Sequence, residues 1–204
     1  MKNQDILMIF LKPFIEGKVK TRLGKSIGEK KALEVYKKLV NHTIKEVEKL
    51  TARVKVYFFY SEEAPTSNQI PAKHQFLIQN GKTLGDRMAA AFDWAAKEGY
   101  NKKIIIGSDC AELSVEHLNQ AFSDLEGNEL VIGPAKDGGY YLIGMKNCHP
   151  EIFADIQWST NSVYNTTIDK IESSALQYAT LKVLSDIDDL EDLKGAPSYL
   201  DSFR

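Results

Sequence analysis

Short unbroken apolar runs alternate along this chain with longer stretches in which apolar residues recur at helical spacing. Ile6 to Leu11 is an unbroken run of strand length. From Gly28 to Leu50, Ala32, Leu33, Tyr36, Leu39, Val40, Thr43, Ile44 and Val47 recur with Lys and Glu between them, which predicts a long amphipathic helix with Tyr36 and His42 as packing residues. Val54 to Tyr60 is rich in β-branched and aromatic residues and predicts a second strand. A polar segment through Pro65 and Pro71 follows, then a short strand at Phe76 to Ile78. Leu84, Met88, Ala91, Phe92 and Ala95 mark one face of a helix that ends near Gly99.

Lys103 to Leu113 is the stretch around which the rest is arranged. Its three consecutive isoleucines, Ile104 to Ile106, read as a central strand buried on both faces. Ser114 is an N-cap candidate for a helix carrying Val115, Leu118, Ala121, Phe122 and Leu125. Leu130 to Pro134 and Tyr140 to Met145 are strand-like runs separated by Ala135 to Gly139, a spacing longer than a tight hairpin and open to a connection between non-adjacent strands. Ile152 to Ile171 predicts one or two helices divided at Trp158 to Asn161, whose hydroxyls are candidate caps. Leu181 to Leu184 reads as a last strand before a short terminal helix.

Strands alternating with helices imply one α/β domain over residues 1–204, a largely parallel sheet covered on both faces. Composition changes little in that picture. The 204 residues suit one core, and 43% hydrophobic with 26% charged residues are ordinary globular values. The net charge of −2 offers no general attraction to nucleic acid. Cys110, Cys148 and four scattered histidines lack zinc-site spacing. No run reaches the roughly 20 apolar residues of a membrane span. The amino terminus lacks the features of a signal peptide, so a cytoplasmic protein is expected.

Candidate chemistry lies at the ends of the strands. Asp109 emerges just past the central strand, where open α/β sheets bind ligands, and a carboxylate there reaches a metal ion or merely terminates the strand. The loop from Lys12 to Gly24 holds four basic residues, with Lys20 and Arg22 placed to clamp a diphosphate; a solvated basic loop is the alternative that composition favours. Its glycines fit neither a Walker loop nor a Rossmann fingerprint. Asp137-Gly138-Gly139 is either a turn or a close approach to a ligand. Asp186 and Asp188, two apart, face one cavity if extended, or else decorate a helix start. Asp86 and Arg87 suit capping and surface charge at least as well as ligand contact.

The segments Gly17 to Leu23, Gly85 to Met88, Ile106 to Cys110, Gly133 to Gly144, Trp158 to Thr160 and Asp186 to Leu193 together resemble a family of small bacterial proteins with the glycosyltransferase-A fold, described as candidate nucleotide-diphospho-sugar transferases. The chain is more distantly similar to phospholactate and molybdenum-cofactor guanylyltransferases. The resemblance implies that Lys12, Lys20 and Arg22 bind substrate phosphates. It further implies that Asp109 and Asp188 hold Mg²⁺ or Mn²⁺, and that Asp137, Gly138 and Gly139 face the sugar or acceptor. Asp137 is then the candidate catalytic base, with a structural turn as the equal alternative. Pro13-Phe14-Ile15-Glu16-Gly17 and Ala111 depart from the family pattern, where a shorter Pro-x-Pro-Gly and a proline are usual. The expected activity is metal-dependent glycosyl transfer from a nucleotide sugar. The alternatives are nucleotidyl transfer from a nucleoside triphosphate with release of pyrophosphate, or a non-catalytic nucleotide-binding protein. Base, sugar, acceptor and oligomeric state are left open by these motifs.

Overall fold

The computed structural model describes residues 4–51, 53–62 and 75–203. The segment through Pro65 and Pro71 lies outside them. The order of elements is β1 (Asp5–Leu11), α1 (Thr21–Ile27), α2 (Glu29–Val47), β2 (Val54–Tyr60), β3 (Gln75–Ile78), α3 (Leu84–Lys97), β4 (Lys103–Ile106), α4 (Val115–Gly127), β5 (Leu130–Pro134), β6 (Tyr140–Met145), α5 (Val163–Ser173), β7 (Tyr178–Thr180) and α6 (Leu190–Gly195). Short 3-10 helices cover Pro150–Phe153 and Ser198–Phe203.

The strands of the described residues form one seven-stranded sheet in the order β3-β2-β1-β4-β6-β5-β7. Every pairing is parallel except those of β6, which runs antiparallel to both β4 and β5. The α/β class is therefore as expected from sequence, with one reversed strand. Because successive side chains on a strand point to opposite faces, Leu7, Ile9, Ile104 and Ile106 pack against α2 and α4, while Ile6, Met8 and Ile105 pack against α3 and α5. The three isoleucines of β4 are all buried, so this strand is covered from both sides. A third apolar cluster joins α1, α2 and α6 through Leu23, Leu39 and Leu193.

Several expectations need correction. The loop expected through Gly24 contains α1, which closes on α2 where Gly24 lies against Glu29 and Ala32. The connection 135–139 joins neighbouring strands, β5 and β6. The last strand lies at Tyr178–Thr180 rather than 181–184. Over 181–184 the chain makes an isolated bridge from Leu184 to Ala135, and the carbonyl of Lys182 accepts the Tyr141 hydroxyl at 3.1 Å, which occupies that acceptor. The Thr160 hydroxyl donates to Gln157 O instead of capping α5. Ser114 does take the N-cap position of α4.

Candidate active site

The carboxyl ends of β1, β2, β3 and β4 lie along one edge of the sheet, and the antiparallel β6 begins at that same edge. A cleft of about 790 Å³ opens there. Of the residues expected at the site, Lys12, Lys20, Arg22, Asp109, Asp137, Gly139 and Asp188 all line it.

Lys20 is the residue most constrained by its backbone. It stands before α1 in the left-handed region, φ 47° and ψ 44°, a conformation that costs a non-glycine residue free energy and persists only where its surroundings enforce it. Its side chain is 2% exposed, and Nζ lies 2.9 Å from both Asp109 Oδ2 and Asp188 Oδ1. Burial alone would depress the ammonium pKa, but the charges of Asp109 and Asp188 outweigh it and hold the pKa above the ordinary lysine range. Asp188 responds in the opposite direction: burial raises it, and Lys20 more than compensates, leaving it below the usual carboxylate value.

Main-chain contacts bring these acids together. Ile187 N–H donates to Asp109 O at 3.1 Å, and Cys110 bridges to Asp186, so the segment before α6 is zipped to the loop after β4. Asp186 and Asp188 are thereby directed into one cleft, as alternate residues of extended chain should be. Asp189, by contrast, caps α6 by accepting from Glu191 and Asp192 N–H. Burial, then the charge of Asp109, pushes the Asp186 carboxyl up to about 7. Cys110 is buried and its thiol is raised to about 12, first by burial and then by Asp186. That makes it a packing residue rather than a nucleophile.

Three carboxylates with hard oxygen donors suit a magnesium-like ion, and Asp109 Oδ1 is buried without a hydrogen-bond partner. Among the described residues no group of three or more His, Cys, Asp or Glu side chains is already gathered as a metal cage. The arrangement fits an ion held by one or two carboxylates plus substrate phosphate oxygens, the usual manner for Mg²⁺.

Around this centre, Arg22 Nη2 reaches Asp189 Oδ2 at 3.3 Å and is 68% exposed. Asp137 is exposed, and its Oδ1 accepts from Gly139 N–H at 2.9 Å, which leaves the second oxygen open. Gly138 does not line the cleft. With φ 88° its backbone lies against Asn161, whose carbonyl oxygen would be 2.1 Å from an added Cβ. Its place in the structure is to let the 158–161 segment approach. Gly85 does the same for Trp158, whose ring would be 2.7 Å from a Cβ.

Sequence reasoning missed Tyr36 as a site residue. Its hydroxyl accepts from Lys12 N–H at 2.9 Å and lies 3.2 Å from Ser108 Oγ, tying α2 to the loops after β1 and β4. Burial and then Asp109 raise it to about 12. It falls on the apolar stripe of α2, so periodicity hides it. Arg87 also lines the cleft, with Nε on Gly81 O at 3.2 Å, whereas Asp86 accepts from the N–H groups of Lys82 and Thr83 as a helix cap.

The fold is that of the nucleotide-diphospho-sugar transferase class. A structure from Desulfovibrio desulfuricans G20, described as a candidate nucleotide-diphospho-sugar transferase, is 32% identical over 94% of this chain and 85% of its own, with TM-score 0.84. The profile of a bacterial family described as "Uncharacterized protein conserved in bacteria (DUF2064)" matches residues 43–160, and the chain belongs to this family. Likeness of fold alone extends further. CMP:2-keto-3-deoxy-manno-octonic acid synthetase in complex with CTP is 7% identical, with TM-score 0.58 over 95% of this chain and 96% of that one. A Mycobacterium tuberculosis H37Rv protein solved with manganese is 10% identical, with TM-score 0.54 over 94% and 97%. A search of curated proteins returns no match. Among the described residues no helix is long and apolar enough to cross a membrane.

Proposed function

We propose that this protein is a metal-dependent transferase that takes a sugar from a nucleotide-diphosphate donor. The observation that carries the reading is the Lys20 ammonium shared by Asp109 and Asp188 in the cleft at the carboxyl edge of the sheet. A diphosphate leaving group gathers negative charge, and preorganised cations aimed at it lower the barrier. Lys12, Lys20 and Arg22 hold the phosphates, while Asp109 and Asp188 hold Mg²⁺ or Mn²⁺. The ion, when bound, offsets the charge that builds on the diphosphate. An acceptor hydroxyl attacks the anomeric carbon, the bond to the diphosphate oxygen breaks, and the acceptor proton passes to the open oxygen of Asp137. Gly139 N–H holds the other oxygen of that carboxylate in place.

Nucleotidyl transfer is the second reading. It is favoured by four basic side chains on the cleft wall, Lys12, Lys20, Arg22 and Arg87, which suit a triphosphate. There a phosphorylated acceptor attacks the α-phosphate and pyrophosphate leaves.

Product analysis separates the two. Incubation with Mn²⁺ and a panel of nucleotide sugars releases nucleoside diphosphate under the first, whereas triphosphates with sugar phosphates release pyrophosphate under the second. A thermal-shift panel narrows the choice beforehand, since a ligand bound only by the native state raises the melting temperature. No shift with any nucleotide, with or without Mn²⁺, overturns both. Asp109→Asn abolishes the metal-dependent part of any shift.

A further inference from the structure

The geometry points to Lys20 as an exchangeable counter-ion, so that the cleft takes its divalent ion as the complex with a di- or triphosphate and not as the free ion. The inference rests on the transferase reading above and names the form in which that site receives its substrate.

Both carboxylates expected to hold the ion already share a cation. Asp109 Oδ2 and Asp188 Oδ1 each lie 2.9 Å from one ammonium, whose side chain is 2% exposed. A free dication must displace that ammonium from two acceptors at once. Among the described residues Lys20 Nζ has no third hydrogen-bond acceptor. Displaced without replacement, it becomes a buried, unpaired charge, one of the more costly states a folded chain can adopt. The Lys20 side chain points inward, away from solvent, from a backbone in the left-handed region.

A metal–phosphate complex removes this obstacle. Its phosphate oxygens accept the ammonium as the ion takes the carboxylates. Only rotation about the side-chain torsions of Lys20 is needed, because the backbone need not change. Asp109 Oδ1, buried and without a hydrogen-bond partner, is an acceptor that the ion satisfies once Lys20 has moved aside. The exchange leaves every charge paired: two carboxylates on the ion, one ammonium on phosphate. Binding of the ion and of the phosphate group are then strongly and reciprocally coupled.

The test measures protein-bound Mn²⁺ by equilibrium dialysis, with and without inorganic pyrophosphate as a base-independent probe, on the full chain and on Lys20→Met. The wild type is expected to take up Mn²⁺ weakly alone and roughly tenfold or more tightly with pyrophosphate. Lys20→Met is expected to bind Mn²⁺ alone roughly tenfold more tightly than wild type and to lose most of the pyrophosphate effect. Wild type that binds Mn²⁺ equally well alone overturns the proposal. So does Lys20→Met with unchanged affinity for the metal alone. Should Lys20→Met not fold, Lys20→Gln takes its place in the same comparison, with the same outcomes expected. Uptake with pyrophosphate that Asp109→Asn abolishes, but without any effect of Lys20, leaves the transferase reading standing and removes the exchange. No uptake under any condition removes both.

Discussion

The hydroxyl of Tyr36 lies 3.2 Å from Ser108 Oγ and also receives the Lys12 N–H at 2.9 Å, so one side chain on α2 joins the loop that leads to Lys20 with the loop that carries Asp109. The loop after β1 and the loop after β4 are thereby held in register from beneath. Tyr36→Phe keeps the ring packing and removes the acceptor of the Lys12 N–H, a loss of about 0.5–1.5 kcal/mol, the usual net contribution of one hydrogen bond. The melting temperature should fall, and kcat/KM should fall with it. Thermal unfolding and steady-state kinetics of the variant check both.

Arg22 behaves differently. Its pair with Asp189 is exposed and spans 3.3 Å, and such pairs contribute little because water and salt screen them. Arg22→Gln is expected to leave stability within roughly 0.5 kcal/mol of wild type. It should raise KM for the nucleotide, with the difference shrinking as ionic strength rises. A large loss of stability would show the pair to be structural instead.

Gly138 is held at φ 88° with the Asn161 carbonyl over its Cα. Gly138→Ala adds a methyl group where there is no space, and backbone strain of this kind alone costs about 1–3 kcal/mol. The expected outcome is a displaced 158–161 segment and reduced turnover, even though Gly138 does not line the cleft. Trp158 in that segment lines it and reports the change: its ligand-induced fluorescence response should weaken in the variant.

Asp186 sets a pH dependence. Its folded-state pKa, pushed up to about 7 by burial and by Asp109, stands above that of the unfolded chain, roughly 3.9. The folded state therefore retains a proton that the unfolded state releases. This site's contribution to stability falls as pH rises from the unfolded value toward 7, and it is flat above that. Asp186→Asn removes the slope. The melting temperature of the variant relative to wild type should climb through that window, as pH-dependent calorimetry would record; a constant difference would contradict the assignment.

Much of this was legible in the sequence where a residue pattern has one structural solution. Three adjacent isoleucines need apolar cover on both sides, and β4 has it. Asp186 and Asp188, two apart, both reach the cleft because extended chain alternates. Strand direction was not legible, since an apolar run such as Tyr140 to Met145 reads the same in either sense. Nor was α1, seven residues with a glycine at their centre, made helical by contact with α2 rather than by its own propensity. Tyr36 was hidden for a related reason: one end of its side chain packs in the core while the other serves the cleft.

The reversed β6 also shapes how the chain can fold. β4 depends on β1 on one side and on β6 on the other, so the sheet centre closes only after a partner some 40 residues further along has been made, an interval apparent from Lys103 pairing with Met145. Until β4 arrives, β1 has a bare hydrogen-bonding edge. A nascent chain that ends before β6 therefore leaves the sheet with an open margin at its centre, and an unpaired strand edge of that kind invites pairing with other chains.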